Sequence, residues 1–149
     1  MTARAIQFID THSHLQVERL DGHRAQWLAQ AREAGLENIL LCAGAPEDWE
    51  RTLSTAHEWG LGAMLGIHPL WLDSTTPAEL VGLRELAASL LDDPHFIGLG
   101  EVGLDGFEPG LDQHKAEQVF LEELKITRDS NLGSIYGPFF NERLITLLF

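Results

Sequence analysis

The chain has 149 residues, 44% apolar and 22% charged, a size and balance that provide one globular core and leave little room for a second domain. Ten Lys and Arg against 23 Asp and Glu give a net charge of −13, which repels phosphate backbones and excludes a nucleic-acid binder that works through a basic surface. The single cysteine, Cys42, excludes a disulfide framework and suits a reducing cytoplasm, and no stretch reads as a signal peptide or reaches the ~20 apolar residues of a membrane span.

Short apolar runs alternate with amphipathic segments, the pattern of βα units laid down in series. A first strand is expected over residues 5–9, ending at the polar cluster from Asp10 to His14, and the helix after it sets Trp27, Ala31 and Ala34 on one face before Gly35 stops it. Residues 38–42 read as the second strand. The second helix opens at Pro46, carries Trp49, Leu53 and Ala56 inward and stops near Gly60; residues 61–67 form the third strand. The third helix has the clearest start, with Thr76 as cap, Pro77 in the first turn and Glu79 three residues after the cap, and it buries Leu80, Leu83, Ala87 and Leu90. Residues 95–100 make the fourth strand, and a fourth helix begins near Asp112 with Ala116, Val119, Phe120 and Leu124 inward. The character changes after Asn131. Residues 132–149 are crowded with apolar side chains, among them Phe139, Phe140, Leu147, Leu148 and Phe149. They read either as a fifth strand with a docking helix or as a truncated or frame-altered end, and the chain is divided accordingly into 1–131 and 132–149.

The polar residues that could carry chemistry fall at the carboxyl ends of successive strands, the edge where parallel α/β folds build their sites. Asp10, His12 and His14 stand at i, i+2 and i+4, so an extended backbone projects them from one face. Two imidazoles with a carboxylate suit a borderline transition metal better than calcium, although histidines at a strand end also serve as ordinary hydrogen-bonding groups. Glu101 closes a strand that is otherwise apolar. A buried carboxylate needs a partner, and no Lys or Arg follows before Lys115, which leaves a metal or a histidine. The run Gly98-Leu99-Gly100-Glu101-Val102-Gly103 matches a dinucleotide fingerprint, but no helix opens after it and Glu101 would repel a pyrophosphate.

Taken in order, Phe8-Ile9-Asp10-Thr11-His12-Ser13-His14-Leu15, Gly66-Ile67-His68-Pro69 and Gly100-Glu101-Val102-Gly103-Leu104-Asp105 resemble the motifs of the TatD-type metal-dependent deoxyribonucleases. The resemblance runs from about residue 6 to about residue 132 and implies an α/β fold of the TIM type. A closed barrel takes roughly 250 residues, so the expectation is an incomplete (βα) barrel of four to five units. The family's site holds two divalent ions, Zn, Mn or Mg, and hydrolyses phosphodiesters in DNA ends or smaller molecules. Carried over, the ligands are His12, His14 and Glu101, with Glu101 bridging. The family's later histidines have no counterpart in the stretch from Asn131 to Gly137, so at most one ion is expected. His68 either touches the scissile phosphate or is a turn residue held by Pro69. Asp10 is expected to orient the histidines, and Asp105 to order its loop.

The functional expectation is a cytoplasmic phosphodiester hydrolase lineage with an incomplete site and weak or no activity, associating with itself through open sheet edges and the apolar tail. A non-catalytic self-associating fragment is the alternative. An amidohydrolase, whose first strand also carries His-x-His, is disfavoured because such enzymes usually place a lysine or histidine where Glu101 stands.

Overall fold

A computed structural model describes residues 8–130 and 132–136. Five strands, β1 (Phe8–Ser13), β2 (Leu36–Ala43), β3 (Gly62–Leu65), β4 (Phe96–Val102) and β5 (Gly133–Tyr136), run parallel and stand side by side in chain order. Parallel neighbours cannot be joined by a tight turn. The chain returns each time through a helix: α1 (Arg24–Glu33), α2 (Trp49–Trp59), α3 (Pro77–Ser89) and α4 (Gln113–Ser130). This is the α/β architecture of a TIM-type barrel in incomplete form, with β1 and β5 at the two margins of the sheet among the described residues. No helix among them is long and apolar enough to cross a membrane.

The strands alternate as a two-sided sheet demands. Ile39, Leu41 and Ala63 face Leu28 of α1 and Ala56 of α2, whereas Ala43, Leu65, Ile67 and Leu99 pack on Leu83 and Ala87 of α3 and Val119 and Ile126 of α4. Leu40, Cys42 and Met64 form a separate cluster on the opposite face. In β4, Leu99 and Val102 both enter the helix-side core although they are three apart. An irregularity in the pairing with β5 between these two residues makes that possible, and it inserts the extra position beside Glu101.

Helix boundaries follow local chemistry. Gly60 adopts the left-handed conformation (φ 66°) that ends α2, and Leu61 N–H reaches back to Ala56 C=O at 2.9 Å. Thr76 and Glu79 form the reciprocal cap of α3. Asp112 Oδ1 accepts the N–H groups of His114 and Lys115 at the start of α4.

Three expectations need correction. The first strand does not stop before the polar cluster: β1 includes Asp10, Thr11, His12 and Ser13, because their backbones continue the pairing with β2, and residues 5–7 lie outside the described part. Trp27 is 40% exposed and stacks on His23; α1 instead turns Arg24 and Leu28 inward, since Arg24 must reach the carbonyls of Leu15 and Val17. The inward stripe of α4 contains Glu123, 1% exposed, in line with Ala116, Val119 and Ile126. The tail from residue 137 lies outside the described residues.

Candidate metal centre

Three strand ends bring the polar residues to one edge. β1 carries His12 and releases His14 just beyond Ser13; β3 runs out into His68; β4 carries Glu101 near its end and leads into Asp105. His12 Nε2 lies 2.7 Å from Glu101 Oε1, His14 Nε2 lies 3.2 Å from the same oxygen, and the two imidazole nitrogens are 3.3 Å apart. Ligands at the bond lengths of a tetrahedral zinc stand roughly 3.3 Å from one another. Two imidazoles and a carboxylate at this spacing therefore fit a divalent transition ion, and they form the group of potential ligands found among the described residues.

Glycine makes room for this triangle. A Cβ on Gly44, which follows β2, would stand 2.7 Å from Glu101 Oε2 and 2.7 Å from His68 Cβ. A Cβ on Gly66 would press on the Gly100 carbonyl at 2.9 Å. Gly44 at the end of β2 thus leaves room for the Glu101 carboxylate, and Gly66 after β3 leaves room for the β4 backbone just before it.

The site's electrostatics follow from crowding. Burial works to raise the Glu101 pKa, but the hydrogen bond and charge of His14, with the charges of His12 and His68, outweigh it and hold the carboxyl below its ordinary value. The hydrogen bond to Glu101 is the main reason His14 is raised, against its own desolvation. His68 is shifted the other way, lowered chiefly by burial despite the Glu101 and Asp105 charges.

Asp10 is not in the candidate ligand group; its Oδ1 accepts the backbone N–H of His12 at 3.1 Å. His68 is buried, and its Nδ1 accepts the Leu70 N–H at 3.1 Å, capping the 3-10 turn Pro69–Ser74. Asp105 Oδ1 accepts the N–H groups of Phe107 and Glu108, which folds the loop after β4.

Three residues near the site escaped the sequence reading. Gln16, 2% exposed, donates to Cys42 C=O at 2.7 Å, the carbonyl to which His14 Nδ1–H also donates at 3.0 Å. Nothing in its type or spacing separates it from a solvated glutamine. Glu123 Oε1 accepts the N–H of Ile67 at 2.7 Å, immediately before His68. Its place on the apolar stripe of α4 was the available signal. Gly44 gave none, because its role exists only once β4 is beside it.

The family model of the TatD related DNases matches residues 9–135. The uncharacterized metal-dependent hydrolase YjjV of Escherichia coli K12 is 30% identical over 131 residues, covering 87% of this chain and 49% of that protein. The 3'-5' ssDNA/RNA exonuclease TatD of Cronobacter turicensis is 25% identical over 118 residues, covering 78% of this chain and 43% of that protein. The crystal structure of E. coli YjjV superposes with a TM-score of 0.80 at 28% identity, over 87% of this chain and 49% of that one. A TatD family hydrolase of Entamoeba histolytica shares the fold, with a TM-score of 0.69 at 17% identity. The chain thus spans about half the length of the curated relatives it matches.

Proposed function

The chain belongs to the TatD related DNase family, and on that premise we propose that it carries one ion-binding part of a phosphodiester hydrolase centre, with His12, His14 and Glu101 as the ligands. The observation that supports this most is the triangle of two imidazole nitrogens and one carboxylate oxygen with edges of 2.7 to 3.3 Å, drawn from β1, the residue just after it and β4. A divalent ion bound there supplies Lewis acidity toward a phosphoryl oxygen and lowers the pKa of water toward neutrality.

The chain's own residues do the rest. His12 and His14 present nitrogen lone pairs from consecutive outward positions of one chain segment. Glu101 contributes the negative charge that favours a cation, and its second oxygen, over Gly44, faces the His68 side of the centre. Burial lowers the His68 pKa and so favours the neutral ring, which, with Nδ1 accepting from Leu70, carries its proton on Nε2. That N–H is the donor we assign to a phosphate oxygen of the substrate. Asp10 holds the His12 backbone, and Asp105 holds the adjoining loop.

The substrates proposed are ends of DNA strands or smaller phosphodiesters, in keeping with the names of the relatives. With a net charge of −13, attraction to such substrates comes from the ion rather than from a basic surface. One ion cannot steady both the attacking and the leaving oxygen of an in-line displacement. We therefore propose that this stretch of chain, alone, binds at most one ion and hydrolyses DNA weakly or not at all, and that it associates with itself through its sheet margins and its apolar tail, the segment 132–149 whose first residues form β5. In this reading the protein works in the cytoplasm, with which a single free cysteine, Cys42, is compatible. Incubation with a single-stranded oligonucleotide and Mn tests it: turnover below ~1 per second is expected, whereas faster cleavage abolished by Glu101→Ala would overturn the one-ion account.

A further inference from the structure

The Cys42 carbonyl lies at the end of β2, one residue past the last pairing with β1, Ser13 with Leu41. In a continuing ladder a backbone N–H would take it. Here two side chains do so: His14 Nδ1–H at 3.0 Å and Gln16 Nε2–H at 2.7 Å. Gln16 cannot swing away easily. It is 2% exposed, its own carbonyl accepts from Arg51 Nε at 2.6 Å, and the Leu15 carbonyl before it accepts from Arg24 Nε at 2.7 Å. The oxygen of the same side-chain amide, Oε1, is buried with no partner among the described residues. Such an orphan is costly. The strong hydrogen bond to Cys42 is the contact that holds the side chain where it is.

We propose that Gln16 is a positioning residue for the metal centre: by fixing the Cys42 carbonyl at the point where β1 leaves the sheet, it sets the tautomer and ring orientation of His14. A histidine that donates from Nδ1 keeps its lone pair on Nε2, the nitrogen that faces Glu101 and His12. Ligand histidines are generally held this way by a carbonyl or carboxylate behind them, and loss of that outer partner weakens metal binding. Here the partner is a backbone carbonyl that is itself held, and Gln16 is the group that holds it. The inference rests on the reading of His14 as a ligand, but its first consequence, the tautomer, exists without any metal.

The test uses the full chain and Gln16→Met, which keeps length and loses the donor, with Gln16→Glu as a second variant. Nitrogen-15 shifts of the histidine rings, recorded without metal at alkaline pH, are expected to show His14 protonated at Nδ1 in the wild type and as a mixture of tautomers in both variants. Zinc titration should show a dissociation constant raised about 10- to 100-fold in the variants. An unchanged His14 tautomer in Gln16→Met overturns the proposal. If the wild type takes up no zinc while the tautomer still depends on Gln16, the metal reading fails and the positioning role stands. Should both variants fail to fold, exchange of the Gln16 side-chain amide protons in the wild type decides: protection supports the held geometry, and exchange at the rate of a free glutamine contradicts it.

Discussion

His12 Nε2 and Glu101 Oε1 stand 2.7 Å apart across 89 positions of sequence, and they join β1 to β4, two strands that do not pair with each other. An ion held between them binds the folded chain and not the unfolded one. At a free ion concentration of 100 times the dissociation constant this is worth ~2.7 kcal/mol, and each kcal/mol moves the midpoint by about 2–4 °C in a chain of this order of size. Zinc or manganese should therefore raise the unfolding temperature of the wild type by several degrees and leave His12→Ala unmoved. An equal rise in the variant, followed by scanning fluorimetry, would place the ion elsewhere.

Gly44 sets how close Glu101 and His68 can come. An added methyl meets both at 2.7 Å, so Gly44→Ala should weaken metal binding and destabilise the fold by about 1–3 kcal/mol, the usual cost of overpacking. Gly82 on α3 is the internal comparison, since a Cβ there meets nothing within 4 Å. Gly82→Ala is expected to stabilise by roughly 0.5–1 kcal/mol, as alanine does inside a helix. Urea unfolding with zinc titration of the two variants checks the contrast.

Glu123 makes stability depend on pH. Burial raises its pKa well above the ordinary 4.5, and the Ile67 N–H opposes this only in part. Between the unfolded and the folded pKa the folded chain holds one more proton than the unfolded chain. This contribution to stability is complete below the unfolded value and falls as pH rises toward the folded one, by ~1.4 kcal/mol per pH unit. Glu123→Gln keeps an acceptor for Ile67 and removes the titration. It should flatten the slope between pH 5 and pH 8 and be the more stable protein at pH 8, measured by urea unfolding across that range. Parallel pH profiles for wild type and variant would show that Glu123 ionises freely in the folded chain.

Much of the fold was legible because local and global signals agree. The cap at Thr76, the stop at Gly60 and the apolar faces of α2 and α3 follow from residue chemistry within a turn or two. The candidate group was legible as residue types at strand ends: spacing puts His12 and His14 on one face, Glu101 closes an apolar strand, and the structure brings the three together. What the sequence hid depends on contacts between distant segments. Trp27 looked like a core residue until Arg24 claimed the inward face for two loop carbonyls. Asp10 had the spacing of a third ligand but the shorter reach to its neighbour's backbone N–H won. Gln16 and Gly44 acquire meaning only from β2 and β4, and the extra residue in β4 cannot be read from its glycines alone.

The margin of the sheet at β1 exposes Phe8 by 53% and Ile9 by 59%, and the tail adds Phe139, Phe140, Ile145, Leu147, Leu148 and Phe149 to the sequence. Burying side chains of this kind is worth ~1.5–3 kcal/mol each, and charge repulsion is screened within ~8 Å at physiological salt. The full chain should run as an associated species in size exclusion with light scattering, and a version ending at Gly137, which retains β5, should associate less. Compact monomers in both cases would remove the tail and the open edge as association surfaces.

In the proposed site His12, His14 and Glu101 together hold a single divalent ion. Elemental analysis after dialysis against zinc or manganese tests it most directly, on the wild type beside Glu101→Gln, which keeps the side-chain shape and removes its charge. One ion per chain in the wild type and none in the variant is the predicted result; two tightly held ions, or one retained by Glu101→Gln, would contradict it.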